Sequence, residues 1–144
     1  MSVDVARLYE RLPHSGSMCL VDEVVEWDRD SVHCRASSHR FADNPLRVGD
    51  ALPAICALEY AAQAFALHGV LAADEFGDEA PDGSRAFLAL VNSLELHAAR
   101  LDDCGGELSI EGWVVFRQSG SAVYRFEVTA DGRRLVTGQV GLMS

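Results

Sequence analysis

The chain has 144 residues, is 49% hydrophobic and 24% charged, and carries a formal net charge of −10 at pH 7. These are the values of one soluble globular domain, large enough to bury a full core without disulfide or metal staples. The acidity argues against nucleic acid and anionic membrane as partners, and the absence of lysine rules out Schiff-base and P-loop chemistry.

Residues 4–11 (DVARLYER) predict a short amphipathic helix with Val5, Leu8 and Leu12 on one side. The segment has an early acid and no apolar run, unlike a secretory signal, and the cytoplasm is the expected compartment. Residues 18–28 (MCLVDEVVEWD) predict a strand, Arg29-Asp30-Ser31 a turn, and residues 32–38 a second strand. A loop over 39–52 carries the turn pairs Asn44-Pro45 and Gly49-Asp50. An apolar, alanine-rich helix then runs from about Pro53 to Gly69, with proline in its first turn and glycine as its cap. No apolar run reaches the ~18 residues of a membrane span. The acidic stretch 72–84 predicts a solvated loop.

Beyond it the hydrophobic period changes to two. Residues 86–98, 107–117, 121–130 and 133–143 predict four strands, separated by Gly105-Gly106, Gln118-Ser119-Gly120 and the hairpin pair Asp131-Gly132. The cysteines Cys19, Cys34, Cys56 and Cys104 form no CxxC pair, which argues against a zinc knuckle, a redox pair or a disulfide framework. No ligand constellation suggests a metal or organic cofactor. Trp27, Trp113 and Phe116 read as core; His33, His68 and His97 read as surface or packing residues.

A helix that is apolar nearly all round must be covered on most sides. One antiparallel sheet curling about it satisfies this, and Ala54, Ala57, Ala61, Ala62, Ala64 and Ala66 permit a close approach. The expectation is a single α+β domain over 1–144, with five to six antiparallel strands wrapped around one long central helix. On that helix stand one acid, Glu59, and one amide, Gln63, four residues apart and therefore on one face. A carboxyl group in an apolar setting is costly unless partnered, neutral or useful. Burial is expected to raise its pKa.

This order of elements matches the hotdog fold, and local motifs go further. Leu12-Pro13-His14 followed by Leu20-Val21-Asp22 and Val24 resembles the LPHxxxxLLVDxV opening of the 3-hydroxyacyl-acyl carrier protein dehydratases. Asn44-Pro45-Leu46-Arg47-Val48-Gly49-Asp50 resembles their NEPFFxGH segment, and Pro53 to Gln63 their MPGVLxxEAxAQ helix. Asp50 stands where that family has its catalytic histidine, and the loop after it is shorter. LPHxGxM together with Gly-x-x-Leu-Pro before a Glu-Tyr-x-x-Gln helix is closer to the divergent ApeP-like subgroup associated with aryl polyene pigment clusters.

The resemblance implies dehydration of a 3-hydroxyacyl thioester to a 2-enoyl thioester. Such a site needs an α-proton base, an acid for the departing hydroxyl, and donors for the thioester oxygen at the helix N-terminus. Glu59 is the expected acid. Three groups compete as base: His14, preferred; His39; and Asp50, which serves equally as a turn or cap residue. Gln63, Pro53 and Gly49 are expected at the substrate. An acyl carrier protein is the implied partner, with Arg40 and Arg47 (and their neighbour Arg35) as the local basic patch for docking. Family sites form across a dimer interface, so a homodimer or a heterodimer with another hotdog chain is expected, and base and acid are allowed to come from different subunits. Two other functions compete: an acyl thioesterase using the helix carboxylate, and a non-catalytic subunit that pairs with an active dehydratase.

Overall fold

The computed structural model describes residues 3–77, 87–118 and 120–143. Its elements are α1 (Val5–Tyr9), β1 (Glu23–Asp28), β2 (Ser31–Ala36), α2 (Ala57–Phe76), β3 (Phe87–Leu96), β4 (Leu108–Gln118), β5 (Ser121–Ala130) and β6 (Arg133–Met143). Three short 3₁₀ turns, Gly16–Met18, Ser38–Arg40 and Ala54–Cys56, punctuate the connections. All six strands lie in one antiparallel sheet in the order β1-β2-β4-β5-β6-β3. That sheet wraps α2, giving the expected hotdog architecture.

Helix α2 is buried over most of its length, to Ala72, because its residues up to there leave no polar face; Asp74, Glu75 and Phe76 in its last turn are exposed. Tyr60, Ala61, Ala64 and Leu67 are fully buried and Phe65 nearly so. Phe65 stacks on Tyr124 of β5 at 4.2 Å between ring centroids and meets Phe126 edge-on at 6.4 Å. On β4, opposite this cluster, stands Gly112, where a Cβ would lie 2.1 Å from a Phe65 ring carbon. The glycine therefore sets how closely strand and helix approach. By length and composition the 23-residue segment Ala54–Phe76 meets the requirement for a membrane span, contrary to the sequence reading. Here 67% of its most apolar window is buried against the rest of the domain.

Three boundaries differ from expectation for physical reasons. Helix α2 continues through Gly69, because Val70 and Ala72 still bury an apolar face whose stabilisation exceeds the roughly 1 kcal/mol that a mid-helix glycine costs. It ends at Gly77, whose φ of 67° is the left-handed cap conformation, with Gly77 N–H bonded to Ala73 O at 2.9 Å. The stretch expected as a loop is thus helical to Phe76; the rest of it beyond Gly77, and Ser119 in the third turn, lie outside the described residues. Strand β1 starts at Glu23 rather than 18, since the amides of Leu20 and Val21 bond to side chains instead of a neighbouring strand. Strand β2 stops at Ala36, where Asp22 accepts Ser37 N–H and Oγ–H at 2.7 and 2.8 Å.

The hairpin at Asp131-Gly132 is as expected, with φ of 51° and 73° at its two central residues. Trp113 and Phe116 are not core. Trp113 lies on the outer sheet face with Arg125 4.9 Å over its ring. Phe116 is 51% exposed, beyond a bulge between Val114 and Phe116. Trp27 packs edge-on against His68 and Phe76.

The close approach at Gly112 predicts that Gly112→Ala destabilises the domain by about 1–3 kcal/mol through overpacking. Urea unfolding monitored by tryptophan fluorescence checks this, and Phe65→Leu in the same background should recover part of the loss.

Candidate active site

The Leu12-Pro13-His14 segment leaves α1 and passes beside the first turns of α2. It brings His14 Nε2 to 3.2 Å from Glu59 Oε1 within a single chain, so this pair needs no second subunit to form. The two side chains are 21% and 34% exposed. They open on a cavity of about 190 Å³ whose other walls are Pro13, Ala62, Ala66, Leu88 and Leu142. One acid and one imidazole thus meet at an otherwise apolar slot.

Gln63 holds the pair from below. Its Oε1 accepts Tyr9 O–H at 2.7 Å and Leu20 N–H at 3.0 Å. Its Nε2 donates to Met18 O at 2.8 Å and to Glu59 Oε1 at 3.1 Å. Every polar atom of this fully buried amide is engaged, so Gln63 holds Glu59, as a partner one helical turn away can, and it does not line the slot. Tyr9 was missed by the sequence reading. The signal available was Val5 and Tyr9 at i, i+4 on the buried face, since a buried tyrosine hydroxyl needs a partner.

Electrostatics reverse one expectation. Glu59 is held below the ordinary carboxylate range rather than above it, because the His14 hydrogen bond, aided by the one from Gln63, outweighs the desolvation that pushes it up. Glu59 is accordingly ionised at neutral pH and accepts hydrogen from both neighbours.

The other candidates lie elsewhere. His39 is fully buried, with Nε2 3.3 Å from the Cys104 carbonyl, and burial lowers its pKa. It does not line the slot, and neither does Asp50. Asp50 is an exposed residue of the two-residue turn Val48–Ala51, whose strained position is taken by Gly49 at φ 63°. Gly49 and Asp50 are therefore turn residues. Pro53 precedes the 3₁₀ turn into α2 and bridges to Arg100. In that turn the N–H groups of Ala54, Cys56 and Ala57 already bond to Ala99, Pro53 and the Ala54–Ile55 carbonyls, so these amides are not spare donors for a thioester oxygen.

Arg47 is 15% exposed and donates to the carbonyls of Phe41 and Asp50 at 2.7 and 2.8 Å. It organises its own loop instead of forming a docking patch. Asp102 completes that brace by accepting Leu52 N–H at 2.8 Å and both Nε and Nη2 of Arg100. Arg40 remains exposed, with one donor on the Gly105 carbonyl at 3.0 Å. Arg35 is 45% exposed and lies 4.0 Å from Glu23.

Fold and site together define a hotdog-type domain with an acid–imidazole pair at an apolar slot. The model of the ApeP-like family, described as ApeP dehydratase, matches residues 6–144, and the chain belongs to that family. Among solved structures it is similar to the dehydratase heterocomplex ApeI:P from Xenorhabdus doucetiae, at 22% identity and a TM-score of 0.84, over 100% of this chain and 92% of that one. A mutant thioesterase from Pseudomonas aeruginosa shares the fold at 12% identity and a TM-score of 0.65, over 99% and 94% of the two chains. AziG from S. sahachiroi does so at 18% and 0.59, over 86% and 90%. No match is found among curated proteins.

The depressed Glu59 pKa fixes the sign of a pH effect. Its folded value lies below the unfolded value of about 4.3. The stabilisation is therefore complete above that value and lost as pH falls through the folded pKa. Relative to Glu59→Gln, the wild-type chain should lose stability between about pH 5 and pH 3 in urea midpoints. A difference that stays flat down to pH 3 would contradict the His14 and Gln63 contacts.

Proposed function

We propose that the chain dehydrates 3-hydroxyacyl groups carried as thioesters on an acyl carrier protein. The observation that carries this reading is the 3.2 Å His14–Glu59 contact at the mouth of an apolar slot, in a chain of a dehydratase family. The reacting form of the pair carries one mobile proton between His14 Nε2 and Glu59 Oε1, which stand 3.2 Å apart. With that proton passed to Glu59, neutral His14 takes the α-proton, and the C–H electrons form the new C2–C3 double bond. The C3–O bond breaks as Glu59 delivers its proton to the oxygen, and water leaves. His14 ends protonated and Glu59 ionised, which restores the starting state. The reaction is redox-neutral and leaves the thioester intact. Gln63 keeps Glu59 in place throughout.

A second hotdog chain is the proposed partner. Among the described residues strand β3 is a sheet edge paired with β6 alone, and it exposes Leu90, Val91 and Leu96 at 47%, 40% and 50%. Exposed apolar edges invite pairing, and the similar Xenorhabdus structure is a heterocomplex. The aryl polyene pathway, which the resemblance to the ApeP-like subgroup implies, is the proposed setting. For the carrier, only Arg40 of the two expected docking arginines is free to turn toward an acidic surface.

Mass spectrometry of a 3-hydroxyacyl carrier protein incubated with the chain, alone and with a co-expressed second hotdog subunit, should show loss of one water. Glu59→Gln and His14→Gln should each reduce this rate at least about 100-fold. Release of free carrier thiol without an enoyl product would establish a thioesterase instead, and full activity of the mixed complex bearing both substitutions would assign catalysis to the partner.

Arg40→Glu should weaken carrier binding several-fold at low salt, and the difference should shrink as ionic strength rises. Unchanged affinity by titration calorimetry would remove Arg40 from the docking surface.

A further inference from the structure

We propose that Tyr9 is a positioning residue for the site, setting the proton affinity of Glu59 through Gln63; the inference deepens the dehydratase reading and rests on it for the kinetic consequence only. Val21 N–H points at the Tyr9 oxygen at 3.0 Å, so the single hydroxyl proton of Tyr9 must go to its other neighbour, Gln63 Oε1 at 2.7 Å. Leu20 N–H, also a donor, reaches the same oxygen. The other end of the amide faces two acceptors, the Met18 carbonyl and Glu59 Oε1.

Turning the amide over would set two donors against donors and two acceptors against acceptors. Gln63 is therefore locked as a donor to the carboxylate. The line runs one way, from the Val21 amide through the tyrosine hydroxyl and the glutamine amide to Glu59. Hydrogen bonds in such a chain polarise one another. Donation into Gln63 Oε1 strengthens the N–H bond that Glu59 receives, and that bond favours the ionised form. Burial raises the Tyr9 pKa, so the phenol stays protonated as a donor at every pH the site works at. The Tyr9 ring also meets His14 edge-on at 6.5 Å, so one side chain adjoins both the imidazole and the amide that holds Glu59. The titratable groups facing Glu59 are His14 from the segment after α1 and Cys56 from the turn before α2.

The test is the full-length chain with ¹³C-labelled glutamate, the Glu59 carboxyl resonance being assigned by its absence in Glu59→Gln. Tyr9→Phe should raise the Glu59 titration midpoint by a few tenths of a pH unit, and Gln63→Met by up to about one unit. In the dehydration assay Tyr9→Phe should lower kcat more than it raises KM, and the acidic limb of kcat/KM should move with the NMR midpoint. A Tyr9→Phe midpoint equal to wild type, in protein with an unchanged amide fingerprint, would reduce Tyr9 to a packing residue. If Tyr9→Phe does not fold, Gln63→Met carries the test: an unmoved Glu59 midpoint there removes the link itself. A shifted midpoint with no dehydration by the wild-type chain would uphold the positioning line while overturning the dehydratase reading.

Discussion

The structure depends on covering one apolar helix. Before its last turn helix α2 has no face suited to water, and the free energy of leaving Tyr60, Phe65, Leu67 and Val70 exposed exceeds the cost of bending a sheet around them. Six strands curl to enclose it, and small residues at the contact set the radius. Gly112 admits the Phe65 ring, and the alanines bring the helix backbone near the strands. The wrap in turn determines where anything polar on the helix can go.

Four polar side chains on α2 need partners in that enclosure, and each finds them on a different surrounding segment. His68 lies between the Tyr124 hydroxyl and the Asp28 carbonyl at 2.6 and 2.7 Å; because a carbonyl only accepts, Nε2 carries the proton and Nδ1 accepts from tyrosine. Tyr60 meets Ser38 and Asn44. Gln63 takes Tyr9, Leu20 and Met18. Glu59 takes His14. Buried polar groups left unpaired are expensive, and this explains why the residues before β1 give up strand pairing. Their amides satisfy the helix instead. The candidate site is thus an outcome of solving the polar problem of a buried helix, with one pair left facing a slot.

Much of this was legible from residues alone. The switch of hydrophobic period from 3.6 to 2 after the long helix marked four strands, and Asp131-Gly132 marked a hairpin that the positive φ angles require. Spacing of four put Glu59 and Gln63 on one helix face, and the Leu12-Pro13-His14 motif singled out the histidine that meets the acid. Less legible was everything set by competition. Burial argued for a raised Glu59, but hydrogen bonds from His14 and Gln63 reverse the sign, and the larger of them comes from His14, 45 residues away in the chain. Arginines near a loop looked like a docking patch, yet unpaired loop carbonyls claimed Arg47.

The sequence by itself determined the class of architecture and put Glu59 and Gln63 on one helix face, because hydrophobic period and a spacing of four are short-range properties of single elements. Tertiary structure alone decided their state and their neighbours. It folded α1 back so that Tyr9 reaches Gln63 across 54 residues, buried His39 away from the slot, and placed Asp50 on an exposed turn. The physical reason is that hydrogen-bond direction and desolvation depend on groups distant in the chain, and no pattern within a window of residues encodes which of them will arrive.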